Sequence, residues 1–139
     1  MSLFAQFKTD EQKEKDGALI TYAPNNDGTI PTFRILRRSA SNQRYVKALE
    51  RESAPYRRLL DLGVLDPVSQ EHILRRVFCS SILVGWKYVV NEKGEDIPFS
   101  FDAAMKLFEQ LPDLYYDLAE QAGKVASFRL ESQESDTKN

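Results

Sequence analysis

Six prolines and six glycines cut the apolar pattern of this chain into short pieces. Proline neither continues a helix interior nor donates to a strand ladder, so no element can run far. Ala18–Ala23 is β-branched and aromatic-rich, and Thr29–Leu36 carries Ile30, Phe33 and Ile35. Between them Pro24-Asn-Asn-Asp-Gly28 supplies residues that tolerate positive φ, which predicts a β-hairpin. Pro31 lacks the N–H a central strand needs, so the second strand is expected at an edge there. A two-stranded hairpin alone is marginal in water, so it must pack on helices or pair with another chain.

From residue 41 the spacing is helical. Ser41 is the expected N-cap, and Tyr45 and Leu49 recur four residues apart. Pro55 ends or kinks that helix near Ser53, and residues 55–62 form a second piece stopped by Gly63. Asp66-Pro67 pairs an N-cap with proline at the first helical position. The helix that follows carries Ile73, Leu74, Val77, Phe78 and Ile82 and is expected to end near Gly85. Ser100 caps another helix with Phe101, Ala104, Met105, Phe108 and Leu111 on one face. Pro112 breaks it, and Asp113 opens the last helix, striped by Leu114, Tyr115, Leu118, Ala122 and Val125.

The predicted fold is α+β and mostly α, an N-terminal β-hairpin followed by a compact bundle of about four to five helices. Residues 1–16 read as a flexible N-terminal arm in which Leu3, Phe4 and Phe7 form a short amphipathic turn. Residues 17–130 read as one globular domain, and 131–139 as a disordered polar tail.

The reactive side chains are few. With one cysteine, Cys79, and one histidine, His72, the 139 residues hold neither a disulfide framework nor a Cys/His zinc site. His72 sits beside Arg75 and Arg76 and reads as a surface or boundary residue, and Cys79 reads as a small buried hydrophobe. No nucleophile has an obvious base, and no phosphate-binding or dinucleotide glycine pattern is present. No catalytic residue, cofactor or metal is therefore expected. The start does not read as a signal peptide, and the most apolar stretch, 77–90, falls short of the roughly 20 residues a membrane span needs, so neither a leader nor a span is expected here. A cytosolic location and a reduced Cys79 are expected.

Charge is unevenly placed. Residues 34–76 hold ten basic and five acidic groups, and residues 77–139 hold six basic and eleven acidic ones. The two regions attract each other either within one chain or head to tail between chains. For the second case the candidate self-association residues are Arg37, Arg38 and Arg44 against Asp113, Asp117 and Glu120. The basic middle also raises a DNA-binding reading through a helix-turn-helix over 58–84, opposed by the acidic remainder.

The most specific pattern runs from Leu83 to Arg129. It comprises Leu-Val-Gly-Trp86, a loop with Gly94, Ile-Pro-Phe-Ser100, a helix, Leu-Pro-Asp-Leu-Tyr115 and a closing Ala-Ser-Phe-Arg129. In that order these elements resemble the tail assembly chaperones of long-tailed, lambda-like bacteriophages and their prophages. Phe33-Arg-Ile-Leu36 and Asn42-Gln-Arg-Tyr45 fit the same resemblance less specifically. It implies a non-enzymatic factor that binds the helical tape measure protein and keeps it soluble while the tail tube assembles. It also implies action in the bacterial host cytoplasm, with no copy retained in the mature virion. Many such genes carry a ribosomal frameshift whose extended product reaches the tail tube protein; this chain is then the shorter form.

A protein that shields amphipathic helices needs apolar grooves of its own, and many weak copies along one partner give avidity. The candidate partner-binding residues are Trp86, Phe108, Leu111, Leu114, Tyr115 and Leu118, a groove bordered by the last two helices in which Tyr115 is exposed. A phage head–tail joint protein that stays in the particle is the alternative, and a DNA-binding regulator the third reading.

Overall fold

A computed structural model of the chain describes residues 2–129. The hairpin forms as the turn residues require. Strand β1 (Ala18–Thr21) pairs antiparallel with β2 (Thr32–Ile35), Ala18 facing Ile35 and Thr21 facing Thr32. At the turn the Asn25 N–H donates to the Thr29 carbonyl at 2.8 Å, and the Asp27 carboxylate accepts from the Thr29 N–H at 2.9 Å.

A third strand, β3 (Leu83–Lys87), pairs antiparallel with β2, giving the order β1-β2-β3. The second strand is thus central, not an edge. Pro31 causes no conflict because it precedes the first paired residue, and its carbonyl accepts from the Tyr22 N–H at 3.1 Å. The helix expected to reach Gly85 also ends earlier. Helix α5 (Pro67–Val77) loosens into a π-helical turn over Phe78–Ile82 and passes directly into β3, where Gly85 faces Arg34. The buried Ser81 stays satisfied because its hydroxyl donates to the Val77 carbonyl at 2.6 Å. The Leu36 N–H, just beyond β2, bonds the Ile82 carbonyl at 2.8 Å and draws the end of the turn into the sheet.

Between β2 and α5 lie α3 (Gln43–Ser53), a 3-10 turn at Ala54–Tyr56 that contains Pro55, and α4 (Arg57–Asp61). The N-cap of α3 is Asn42, not Ser41. The Asn42 side chain accepts from the Tyr45 N–H at 3.2 Å, while the Ser41 hydroxyl is hydrogen-bonded to that of Ser39. Asp66 caps α5 through the Ser69 N–H, and Ser100 caps α6 (Phe101–Gln110) through the Ala103 N–H, each at 3.0 Å. Pro112 takes the first position of α7 (Pro112–Gly123), and a 3-10 turn at Val125–Phe128 closes the described chain.

Two apolar cores result. The larger joins Phe33 and Ile35 of β2 to Phe78, Ile82, Phe108, Leu118 and Phe128, all buried. The smaller holds Ala48, Leu65, Ile73 and Val77, with Tyr45 and Leu49 packed against it. On α5 the apolar spacing divides accordingly: Ile73 and Val77 point inward, and Leu74 is left exposed.

The segment read as an arm holds two short helices, α1 (Leu3–Phe7) and α2 (Glu11–Asp16). Thr9 forms an isolated antiparallel bridge with Arg129, and the Asp10 N–H donates to the Phe128 carbonyl at 2.8 Å. The Lys13 ammonium reaches the Arg129 carbonyl, and Glu14 pairs with Arg37 at 3.0 Å. The tail expected over 131–139 lies outside the described residues.

Candidate functional site

Three of the six residues expected to line a partner groove are core residues. Phe108 and Leu118 are fully buried, and Tyr115 is only 6% exposed. The rings of Phe78 and Phe108 lie 5.4 and 5.6 Å from that of Tyr115, and the Arg75 guanidinium sits 5.4 Å over its face. Burial pushes the Tyr115 phenol up to about 12. The Tyr115 contact role is therefore corrected: its position on the α7 stripe turns it toward α5 and α6. Trp86 is half-buried, edge-on to Phe33 and Phe99, with its indole N–H donated to the Ile97 carbonyl at 2.7 Å. Leu114 is partly buried against the larger core. Leu111 alone of the six is exposed; it lines an open cleft of about 590 Å³ with Val90, Ile97 and Leu107.

Four of the six charged residues named for self-association, Arg37, Arg44, Asp117 and Glu120, have side-chain partners within the chain. Arg37 pairs with Glu14, and Arg44 reaches the Ser80 carbonyl at 3.4 Å. The Arg38 guanidinium lies against the end of α7, where a Cβ on Gly123 would stand 2.5 Å from its Nη2. A cation there complements the helix C-terminus. Asp117 accepts a hydrogen bond from Tyr22, and Glu120 pairs with Lys124 at 3.2 Å. Asp113 lies in the first turn of α7, where a carboxylate favours the helix dipole. None of these contacts is an ion pair between the 34–76 region and a carboxylate of residues 77–129. Several of the basic residues behind the DNA-binding reading are likewise engaged: Arg76 and Arg51 share Glu52, and Arg75 leans on Tyr115 and Glu71.

Exposed apolar side chains gather elsewhere, around α4. Tyr56, Leu59 and Leu60 fall at i, i+3 and i+4, a spacing that places them on one helix face. All three are exposed, and so are Leu62 and Val64 just beyond, at 63% and 64%. Only Leu65 turns inward, to the smaller core. The helix is stopped by Gly63, whose φ is +69°. The Gly63 N–H bonds the Leu60 carbonyl at 3.0 Å, and the Val64 N–H bonds that of Leu59 at 3.0 Å. This paired closure is the Schellman arrangement, which needs a left-handed residue at the turn. Arg57 and Arg58 border the face, and neither has an ion-pair partner among the described residues.

Sequence reading placed Leu59, Leu60 and Leu62 in a short helical piece stopped by Gly63 and gave them no role. The signal for exposure was there: the piece is too short to cover a core, and Arg57 and Arg58 interrupt it. Among the described residues no helix is long and apolar enough to cross a membrane, and no three His, Cys, Asp or Glu side chains gather as a metal site.

These features define a small α+β domain with a helical outgrowth, its sheet sharing one core with the π-helical turn, α6 and α7. Residues 40–139, from just before α3 onward, match the family model described as YdaY prophage protein, and the chain belongs to that family. No curated protein and no solved structure matches it.

Proposed function

We propose that this prophage protein is a tail assembly chaperone that binds helical segments of the tape measure protein through the α4 face. The observation that carries the reading is the exposed set Tyr56, Leu59, Leu60, Leu62 and Val64, bordered by Arg57 and Arg58, which have no ion-pair partner among the described residues. An amphipathic helix with an acidic flank is the matching partner. The order of motifs from Leu83 to Arg129 and membership of a prophage family support the tail assembly role.

The energetics suit a reusable factor. Full burial of a leucine side chain is worth roughly 1.5–3 kcal/mol, so covering these partly exposed residues gives about 1 kcal/mol each before ordering costs. One such contact is weak and reversible, and many copies along one long partner hold it by avidity. The chaperone acts in the host cytoplasm without chemistry of its own and leaves before the particle is complete. An extended frameshift product provides the link to the tail tube protein.

The test is co-expression with the tape measure protein encoded downstream. Wild type raises the soluble fraction of that partner. Leu59→Asp/Leu62→Asp, whose parent side chains touch neither core, abolishes the effect while its circular dichroism is unchanged. Undiminished rescue by this variant refutes the α4 assignment, and the chain's presence in purified virions refutes the chaperone role.

A further inference from the structure

Among the described residues Tyr88 is the one non-glycine with a positive φ, at +60°. A bulky side chain in that region strains the backbone, and such strain persists only where surrounding bonds impose it. Here they do. The Asn25 side-chain amide donates to the Tyr88 carbonyl at 2.8 Å and to the Thr29 hydroxyl at 3.0 Å, tying the position to the tip of the β1–β2 hairpin. The next residue, Val89, is buried in the larger core, and its carbonyl accepts from the Ile97 N–H at 2.8 Å. The kink thus has a structural purpose: it sends Val89 inward at the end of β3. Glycine makes the same turn without strain. Packing does not account for the tyrosine ring, because Tyr88 is 51% exposed and belongs to neither core.

The ring borders a cleft of about 320 Å³ with Trp86, Asp96, Ile97, Pro98 and Phe99. The apolar wall is fixed before anything binds. The Trp86 indole N–H is donated to the Ile97 carbonyl at 2.7 Å, and its ring meets those of Phe33 and Phe99 edge-on. The Asp96 carboxylate in the lining has no ion-pair partner among the described residues. Lys87 also borders the cleft. Trp86 pairs with Phe33 across the sheet and Lys87 with Thr32, so strand alternation directs the Lys87 side chain to the face opposite the Trp86 ring.

The geometry points to an arginine side chain of a partner protein as the occupant of this cleft. A guanidinium stacks on aromatic rings and pairs with a carboxylate through two parallel N–H···O bonds, and its apolar stem suits the walls made by Ile97 and Pro98. A neutral side chain gains nothing from Asp96, and an acidic one is repelled by it. The α4 face, bordered by Arg57 and Arg58, selects the opposite charge. The two surfaces therefore take different segments, and the inference is independent of the proposed function.

Trp86 is the only tryptophan of the chain, so its fluorescence reports on the cleft. The probe is a capped pentapeptide of alanines with arginine at its centre, titrated into the full chain at low salt, where charge pairing is least screened. The control peptide carries citrulline, the neutral counterpart of arginine. A saturable change in Trp86 emission with the arginine peptide is expected, with binding of the citrulline peptide weaker by about tenfold. Asp96→Asn and Tyr88→Asn each weaken binding of the arginine peptide by a similar factor, whereas Tyr88→Phe, which keeps the ring, binds as wild type does. Asparagine tolerates the left-handed region, so Tyr88→Asn melts no lower than wild type; a merely structural ring would lower the melt. Leu59→Asp/Leu62→Asp binds the peptide normally. No response to the arginine peptide, equal binding of the two peptides, or undiminished binding by Asp96→Asn or Tyr88→Asn overturns the inference. So does loss of binding in Leu59→Asp/Leu62→Asp, or a lowered melt of Tyr88→Asn. None of these results bears on rescue of the tape measure protein, which is read separately by solubility.

Discussion

Glu52 is where α3 is clamped to α5. Its carboxylate accepts from the Arg76 Nε at 2.5 Å and from the Arg51 Nε at 3.3 Å. These hydrogen bonds, Arg76 first, hold its pKa below the ordinary glutamate value of 4.5, against the opposing effect of burial. A depressed folded-state pKa means that the unfolded chain binds more protons in the window below 4.5. The stabilisation is therefore complete above that window and is lost as pH falls through it. Glu52→Gln is expected to cost up to about 1 kcal/mol at neutral pH, the scale of a partly exposed ion pair. In urea titrations this cost shrinks toward pH 3, since wild type then loses the same pair by protonation. A cost independent of pH contradicts the assignment.

Residue types settled some roles in advance and not others. Cys79 and His72 had foreseeable positions: the thiol is buried, with its pKa pushed up to about 12 by that burial, and the imidazole is exposed. Tyr115 was misread as a surface residue because a helical stripe fixes which side of α7 faces the core but not how far the core extends. The aromatic neighbours Phe78 and Phe108 close over it from other elements, and such non-local packing leaves no mark on the local spacing.

At the scale of elements, punctuation was the most legible information. The Pro67, Ser100 and Pro112 boundaries lie where their backbone chemistry requires. The third strand was not legible. Helical apolar spacing continues through Ile82, and only pairing with β2, some fifty residues earlier, turns Leu83–Lys87 into a strand. The π-helical turn at Phe78–Ile82 absorbs that change of period.

Gly63 is the element-scale residue on which the α4 face depends. A side chain at this position has open space around it but must adopt φ +69°. The left-handed conformation costs an ordinary residue roughly 1–2 kcal/mol. Gly63→Ala is expected to destabilise the chain by about 1 kcal/mol in urea titration, with Gly63→Asn milder because asparagine tolerates that region. Equal stability of all three chains would show that the turn does not close as described.

For the molecule as a whole, the family match begins at residue 40 and omits β1 and β2. Yet β2 is the central strand, and its Phe33 and Ile35 are among the most deeply buried residues. Removing them strips β3 of its ladder and opens the larger core, and truncating even one buried aromatic costs about 3–5 kcal/mol. A fragment of residues 40–139 is therefore expected to show no cooperative thermal transition, whereas the full chain does. A cooperative melt of the fragment near that of the full chain would mean that the sheet is dispensable.

The overall class, a hairpin with mainly helical remainder, followed from turn chemistry and spacing, whereas the docking face did not. Amphipathic stripes mark residues that avoid water without saying whether this chain or another one covers them. Leu59 and Leu118 carry the same sequence signal; α7 lies within the larger core, and α4 lies outside both.

Methyl NMR of the full chain during titration with an amphipathic tape measure segment tests that distinction most directly. The methyl signals of Leu59, Leu60 and Leu62 are predicted to shift progressively with added segment, while those of Ile82 and Leu118 stay fixed. Shifts confined to Leu111 and Leu114, or none at saturating segment, would contradict the account.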